Sequence, residues 1–347
     1  MHVGQYQVYF GGECKKLQSS PTIYTIDQGF PACGPLPKGG QLVKLHSSVK
    51  LLVHGYSLEG IIMCFAIYTL TLLGNSLIVL ITLADASLHI PMYFFIGNLS
   101  FLEICYSSVT LPKMMAISLT GDNTISFTGC AAQMYFFLLL GSAECYLLAA
   151  MAYDRYVAIC HPLRYVAIME RRSCVWLVAG SWLSGIPVSF IQTTLVFTSP
   201  FCGPNKIDHF FCDVAPVLQL VCADTSRNEM ANITVTVVFL AIPFTLILIS
   251  YTLIIATVLK MSSPGSRHRA FSTCSSHLVV VTLFYGSGMV MYLSPRSSHT
   301  TENDKLLSLF YTVVTPMLNP VIYSLRNKEV KGALRRRVAG KRLSPLQ

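Results

Sequence analysis

The chain alternates between long apolar runs and short polar segments. Seven of the runs approach the roughly 20 apolar residues that a helix needs to cross a hydrocarbon core of about 30 Å. They are continuous rather than striped, which favours helices in lipid over helices on a soluble surface. The predicted spans are Leu58–Leu83, Met92–Met114, Cys130–Tyr153, Val175–Leu195, Met230–Leu259, Leu278–Leu293 and Leu306–Leu325. We therefore predict an all-α membrane protein with a seven-transmembrane helix bundle.

Some predicted spans contain residues that interrupt regular helices. Several serines, His277 and Gly286 dilute the sixth run, which is long enough only if its helix begins near Phe271. Membrane helices tolerate Pro and Gly because neighbouring groups satisfy the freed carbonyls, and kinks are expected there. The residues concerned are Pro187, Pro243, Gly286, Gly288, Pro316 and Pro320. Their concentration in the last helices suits elements that move.

Lysine and arginine lie mainly on one side of the predicted membrane. The positive-inside rule assigns short loops rich in these residues to the cytoplasm. That side holds Arg164, Arg171, Arg172, Lys260, Arg267, Arg269 and the basic tail from Arg326 onward. The other side offers only Lys206, Arg227, Arg296 and Lys305, among several acidic residues. The N-terminus is therefore predicted to be extracellular.

The segment before the first span is unusual. Lys44, Lys50 and His54 precede that span and Asp85 follows it, so the first helix alone would favour the opposite orientation. The segment is rich in Gly and Pro and contains no Asn, hence no Asn-x-Ser/Thr glycosylation site. We expect residues 1–57 to be disordered, 58–325 to form the transmembrane domain and 326–347 to form a cytoplasmic tail. The first span is expected to act as its own insertion signal.

Composition supports a membrane protein and argues against a nucleic-acid-binding protein. Hydrophobic residues make up 53% of the chain and charged residues only 12%, whereas soluble domains carry about 25% charged residues. The net charge of +9 is spread over short segments between apolar runs. A nucleic-acid-binding domain would gather its basic residues on one face.

Six short strings occur in order along six of the spans. They are Gly74-Asn75, Leu88-His-Ile-Pro-Met-Tyr-Phe-Phe95, Met151-Ala-Tyr-Asp-Arg-Tyr-Val-Ala-Ile-Cys-His-Pro-Leu-Arg-Tyr165, Ser250-Tyr251, Ala270-Phe-Ser-Thr-Cys-Ser-Ser-His277 and Pro316-Met-Leu-Asn-Pro-Val-Ile-Tyr-Ser-Leu-Arg-Asn327. Together they resemble the odorant-receptor branch of the rhodopsin-like G-protein-coupled receptors. The resemblance extends from about Leu58 to Val330.

This resemblance implies a receptor that binds a small, neutral volatile ligand within the bundle and raises cyclic AMP through a stimulatory G protein. It also implies a plasma-membrane location and no cofactor. Asp154 and Arg155 would form a lock that releases on activation. An always-charged arginine at a membrane boundary needs such a partner. The remaining switch residues implied are Tyr251, Asn319, Pro320 and Tyr323.

Two carboxylates lie well inside predicted spans, where charge is costly. If the bundle closes as in the family, Asn75, Glu103, Glu144 and Asn319 form one buried polar cluster. Two neighbouring carboxylates cannot both ionise at low cost. Either a cation such as sodium lies between Glu103 and Glu144, or one of them is protonated, or the two do not touch.

The twelve cysteines divide by predicted compartment. Cys130, Cys202, Cys212 and Cys222 lie on the oxidising side, where disulfides persist, and sequence alone leaves three pairings open. The family pattern implies Cys130–Cys212 and Cys202–Cys222. A metal site at His209, between two of these cysteines, is the less favoured alternative. The expected thiols are Cys64, Cys105, Cys145, Cys160, Cys174 and Cys274, and Cys14 and Cys33 stay unassigned.

The third span carries a stripe of residues that can line a ligand cavity. Phe137, Leu138, Gly141 and Ser142 recur on one helix face, about two turns from Cys130. The resemblance adds Val235, Thr236, Phe239, Tyr285, Gly288, Met289, Tyr292 and Thr312. Such a set is mainly apolar with hydroxyls and no buried charge, which suits a neutral volatile compound. Simple helix packing is the alternative for each residue taken singly.

The basic loops and tail have a bland explanation in topology. By resemblance, the loop from His161 to Arg172, the loop from Lys260 to Arg269 and the tail form the G-protein contact. The tail would lie as a short amphipathic helix on anionic lipid. A transporter is disfavoured because no internal repeat is visible, and an enzyme because no catalytic string is found. A receptor that is poorly delivered, because of its atypical N-terminus, is the remaining alternative.

Overall fold

The computed structural model describes residues 6–10, 13–17, 48–51, 58–201, 206–293, 308–326 and 328–338. These residues are mainly helical. Five helical stretches in this part are long and apolar enough to cross a membrane, namely Gly60–Ala84, Pro91–Thr120, Phe127–Cys160, Arg171–Phe197 and Ser226–Lys260.

The helices follow one another with short connections. The first five are α1 (Leu58–Ala84), α2 (Pro91–Thr120), α3 (Phe127–Cys160), the single turn α4 (Tyr165–Ile168) and α5 (Arg171–Phe197). Next come α6 (Val214–Leu218), α7 (Ser226–Thr236), α8 (Ile242–Lys260) and α9 (Pro264–Leu293). The last described helices are α10 (Thr315–Arg326) and α11 (Lys328–Val338).

Local sequence explains several helix ends. Pro91 occupies the first turn of α2, where its missing N–H costs nothing. Gly121 ends the same helix with φ of 69°, a left-handed conformation that favours glycine. The Ser126 hydroxyl accepts a hydrogen bond from the Gly129 N–H at 3.0 Å and so caps α3.

Irregular helical turns occur where the sequence predicted kinks. A π-helical turn, Val237–Ala241, joins α7 to α8 just before Pro243. A second, Phe310–Val314, precedes α10 and Pro316. Pro187 and Pro320 lie inside otherwise continuous helices. Single π turns are common at functional sites, and the first of these two turns lies beside the cavity described below.

Helix α3 is the central element, packing against α2, α5, α8 and α9. Its contact with α5 depends on Gly185, where an added Cβ would lie 2.7 Å from the Leu139 carbonyl oxygen. Helices α1 and α10 meet in a similar way, because a Cβ at Gly74 would lie 3.0 Å from the Pro320 Cβ. Close backbone approach of this kind is how membrane helices gain packing energy.

The segment before α1 contains strands. Strands β1 (Tyr6–Phe10) and β2 (Glu13–Leu17) pair antiparallel. Strand β3 (Ser48–Leu51) is the centre of a second sheet, antiparallel to β4 (Thr124–Ser126) and parallel to β5 (Lys206–Ile207). The expectation of disorder is corrected for these residues. Leu51 is fully buried against both connecting loops, which supplies the apolar burial that a disordered segment lacks.

The helices are longer than the predicted spans. Helix α9 begins at Pro264, before the expected start near Phe271, and α3 continues to Cys160, beyond Tyr153. Hydropathy marks only the part of a helix that lies in lipid, so polar turns that continue it go unnoticed. The predicted start of the seventh span, Leu306, lies outside the described residues.

Candidate functional site

A cavity lies inside the helix bundle, between α2, α3, α7, α8, α9 and the loop that follows α5. Its volume is about 100 Å³, and its walls are mainly apolar. Ligand sites in helix bundles have this character, with a few polar groups that fix orientation.

Eight residues expected from the sequence line this cavity. They are Phe137, Leu138, Gly141, Ser142, Val235, Thr236, Phe239 and Gly288. The stripe on α3 therefore faces the cavity as a unit. Phe137 also packs against Tyr106 of α2 with ring centroids 5.2 Å apart, and Thr236 donates a hydrogen bond to the Asn232 carbonyl at 2.9 Å.

The structure does not place the other four expected residues on the cavity wall. Tyr285 turns to α3, where its hydroxyl donates to the Cys145 carbonyl at 3.0 Å. Thr312 is fully buried and donates to the Ser308 carbonyl at 2.5 Å. Met289 packs against the main hydrophobic core. The side chain of Tyr292 lies outside the described residues.

Seven lining residues were not expected from the sequence. They are Tyr106, Cys145, Asp213, Val214, Asn232, Leu240 and Phe284. Asp213 and Val214 come from the loop after α5, for which sequence periodicity gives no orientation. Tyr106 and Asn232 carried a usable signal, since a polar group within an apolar span tends to face the bundle.

Asp213 changes the expected character of the cavity. The expectation of no buried charge is corrected, because this carboxyl lines the cavity and is only 2% exposed. Its Oδ1 accepts a hydrogen bond from the Val214 N–H at 2.7 Å and caps α6. Burial raises the pKa of Asp213 to about 6, although the Val214 hydrogen bond acts in the opposite direction.

A disulfide positions this loop. Cys130 of α3 and Cys212 are bonded, and both are fully buried. Gln133 adds two hydrogen bonds, accepting from the Cys212 N–H at 2.9 Å and donating to the Val109 carbonyl at 2.9 Å. Because the Cys212 sulfur is in a disulfide, it cannot serve the alternative metal site at His209.

The second predicted disulfide cannot be assessed in the same way. Cys202 lies outside the described residues, so the Cys202–Cys222 pair stays a prediction. The neighbouring backbone is close, since the Cys222 N–H donates to the Pro200 carbonyl at 3.1 Å and Phe201 bridges to Val221.

The predicted buried polar cluster links four helices. The Asn319 amide of α10 donates to Glu103 Oε1 of α2, and the carboxyl of Glu144 on α3 interacts electrostatically with Glu103. Asn75 of α1 donates to the Pro316 carbonyl at 3.0 Å. All four predicted side chains are at most 1% exposed.

The cluster holds several oxygens that no described residue hydrogen-bonds. These are Asn75 Oδ1, Glu103 Oε2, both carboxyl oxygens of Glu144 and Asn319 Oδ1. Leaving buried acceptors without donors is costly. Hard cations take oxygen ligands of this kind, so the donor set fits the sodium ion that the sequence suggested. A proton shared between the carboxyls fits as well.

At the opposite end of α3, Asp154 and Arg155 lie together. Their charged atoms are 3.8 Å apart, and the side chains are 2% and 6% exposed. The Asp154 carboxylate also accepts a hydrogen bond from the Tyr165 hydroxyl of α4 at 2.8 Å. Burial, followed by the neighbouring Asp154 carboxylate, raises the pKa of Tyr165 well above its usual value. Sequence analysis had given Tyr165 no role.

Two further switch residues, Tyr251 and Tyr323, are buried near this pair. His277 of α9 joins α8 to α3, with Nε2 3.2 Å from the Leu148 carbonyl and Nδ1 2.7 Å from the Tyr251 hydroxyl. Because a carbonyl can only accept, Nε2 carries the proton and Nδ1 accepts from Tyr251. His277 was noted within a motif, but its partners could not be read from the sequence.

The last described helix, α11, docks on the connection between α1 and α2. Arg336 donates to Asp85 at 3.0 Å and to Ser87 at 2.9 Å. The Tyr93 hydroxyl donates to Glu329 at 2.9 Å. The Ser87 hydroxyl hydrogen bond, with a further contribution from Arg336, lowers the pKa of Asp85.

These features define a class of protein: a multi-pass helical membrane protein with a ligand-sized cavity at one end of its central helix and a buried ion pair at the other. Comparison with known proteins narrows this class. The sequence model of the olfactory receptor family matches residues 63–341. The chain therefore belongs to the olfactory receptor family, which comprises multi-pass plasma-membrane receptors and not enzymes.

Individual relatives cover most of the chain. It is 57% identical to human (Homo sapiens) olfactory receptor 10A7 over 281 residues, which is 81% of this chain and 89% of the relative. Human olfactory receptor 10A5 is 60% identical over 270 residues, covering 78% and 85% respectively. Human olfactory receptor 10C1 is 52% identical over 287 residues, covering 82% and 92%.

Proposed function

We propose that this chain is an odorant receptor whose cavity binds a small, neutral volatile molecule and whose opposite face activates a stimulatory G protein, raising cyclic AMP. The observation that carries the proposal is the mainly apolar cavity enclosed by α2, α3, α7, α8, α9 and the loop after α5. Its volume of about 100 Å³ suits a compact ligand, since an apolar cavity of about 150 Å³ can hold benzene.

The proposed architecture is a seven-transmembrane bundle with an extracellular N-terminus. Five helical stretches meet the criteria of length and hydropathy, and α9 and α10 would supply the sixth and seventh spans. The positive-inside rule supports the orientation. The sheet that joins β3 to both disulfide-side loops is consistent with it, because it places the N-terminal segment and these loops at one end of the bundle.

The proposed signalling face lies at the end of α3 that holds Asp154 and Arg155. The ion pair and the Tyr165 hydrogen bond would stabilise the inactive state, and Arg155 would contact the G protein after release. Basic loops from His161 to Arg172 and from Lys260 to Arg269 would complete this face. Helix α11 would lie on the membrane surface, with Ala333 buried against the bundle.

The proposal is tested in cells that express the full chain with an epitope tag after Met1. Surface staining without permeabilisation establishes delivery, and a cyclic AMP screen of volatile compounds follows. We expect Arg155→Ala to abolish the response while surface staining is unchanged, and Ser142→Ala or Thr236→Ala to change the ranking of ligands. A normal response from the Arg155 variant, or a ranking unmoved by both cavity variants, would contradict the proposal.

The sodium site is proposed as a regulator of the same equilibrium. A cation between Glu103 and Glu144 would stabilise one arrangement of α2, α3 and α10. Agonist potency should then depend on sodium concentration in the parent and not in Glu144→Gln, which removes one charge at nearly constant volume. Potency that ignores sodium in both proteins would argue for a protonated carboxyl pair.

A further inference from the structure

We propose that Asp213 is the hydrogen-bond acceptor through which the cavity selects ligands that carry a hydroxyl group, namely volatile alcohols or phenols. The inference rests on the proposed function, because it specifies the ligand class of the same cavity. Nothing in the sequence pattern placed this residue there, since it comes from a loop.

The geometry leaves one carboxyl oxygen of Asp213 without a protein donor. Oδ1 accepts from the Val214 N–H at 2.7 Å, and no described residue donates to Oδ2. The side chain is 2% exposed and lines the cavity. A buried acceptor without a donor is unfavourable, so a ligand that supplies a donor gains an interaction that the empty walls cannot provide.

The surrounding walls decide which donor fits best. The other polar or titratable side chains on the cavity wall are Ser142, Thr236, Asn232, Tyr106 and Cys145, and none of them is a charged partner for Asp213. In the adjoining loop, Asp208 is exposed and His209 is directed toward Ser308. With a pKa of about 6, Asp213 is mainly ionised at pH 7.4 and can only accept hydrogen bonds.

Three ligand classes follow from this chemistry. A ketone, ester or ether brings only acceptor oxygens, which repel an ionised carboxylate. An ammonium group would pair with Asp213 but would have to lose its water in an apolar cavity, and this cost can exceed the gain. A hydroxyl group donates one hydrogen bond to the carboxylate and loses little solvation, while the rest of the molecule packs on apolar walls.

The bland explanation of Asp213 is that it only caps α6. Asp213→Asn separates the two roles, because an asparagine oxygen still accepts from the Val214 N–H while its amide presents a donor to the cavity. Asp224→Asn is the matched control. Asp224 lies in the same loop and likewise accepts from a backbone N–H at a helix start, that of Ser226 at 2.9 Å, but it is exposed and away from the cavity.

The experiment measures apparent Kd from ligand-dependent Tm shifts of the purified full chain in lipid nanodiscs at pH 7.4. The probes are compact alcohols and phenols, each paired with its methyl ether and with the amine of the same skeleton. We expect the best alcohol to bind at least about 10-fold more tightly than its ether. Asp213→Asn should weaken that alcohol by about 10- to 100-fold, the range for a hydrogen bond to a charged group. Asp224→Asn should leave the preference unchanged.

Three results would overturn the inference: equal binding of alcohols and ethers, a preference that survives Asp213→Asn, or amines that bind more tightly than alcohols. The cyclic AMP response is read in parallel and separates this inference from the proposed function. An ether that binds and signals equally well in the parent and in Asp213→Asn would refute the role of Asp213 and leave the receptor function intact.

Discussion

Replacing Cys130 with Ser removes the covalent link between α3 and the loop that closes one end of the cavity. The disulfide joins residues 82 positions apart in the chain. The chain-entropy relation for a loop of that length gives about 4.5 kcal/mol of unfolding free energy. In a chain of this size, such a loss lowers the Tm by roughly 10 °C.

The assay is thermal unfolding of the purified chain in nanodiscs, with three variants and one control. Cys130→Ser, Cys212→Ser and the double variant should show the same loss, because each removes the same bond and the effects therefore do not add. Cys174→Ser is the control, since Cys174 is a free thiol that is 3% exposed. It measures the cost of a buried hydroxyl in place of sulfur, without any disulfide.

The reasoning would be refuted in two ways. Losses that add in the double variant would mean that the two cysteines act independently. A loss no larger than that of Cys174→Ser would mean that the link contributes nothing beyond the buried sulfur. Ligand affinity should fall along with Tm, because Cys212 is adjacent to Asp213 on the cavity wall.

Three further predictions follow from other contacts. Gly185→Val should abolish surface delivery, because its side chain would meet the α3 backbone, whereas Gly180→Val on the same helix, with nothing within 4 Å of an added Cβ, should be delivered normally; equal delivery of both would contradict the packing. Because the folded pKa of Asp213 is raised to about 6, its neutral form stabilises the fold at low pH. The unfolding free energy of the parent, relative to Asp213→Asn, should therefore fall by about 3 kcal/mol between pH 4 and pH 7, and a flat difference would count against the buried carboxyl. Arg336→Ala should speed amide hydrogen exchange in α11 about 5- to 30-fold, because Asp85 loses its guanidinium partner; unchanged exchange would show that other contacts hold the helix.

Much of the fold could be predicted because membrane helices are local features. Each span is one continuous apolar run, so its existence does not depend on what it packs against. The stripe from Phe137 to Ser142 was found for the same reason, since helical periodicity places those residues on one face. The short motifs were equally local and led to the family.

Other parts of the site depend on which loop meets which helix. The sequence could not show that Asp213 enters the cavity, that Tyr165 bonds Asp154, or that Tyr285 turns away to Cys145. Each of these is a contact between segments whose relative position is set only when the bundle closes. The strand Ser48–Leu51 was missed similarly, because its partners β4 and β5 lie far along the chain.

The sequence by itself determined that this protein is a helical membrane protein of the olfactory receptor family, and where most of its spans lie. Only the tertiary structure decided the chemistry of the cavity, by folding a disulfide-held loop so that a carboxyl lines an otherwise apolar wall. The physical reason is that hydrophobic runs and helical periodicity act over a few turns, whereas cavities and buried hydrogen bonds are made by side chains brought together from distant helices and loops.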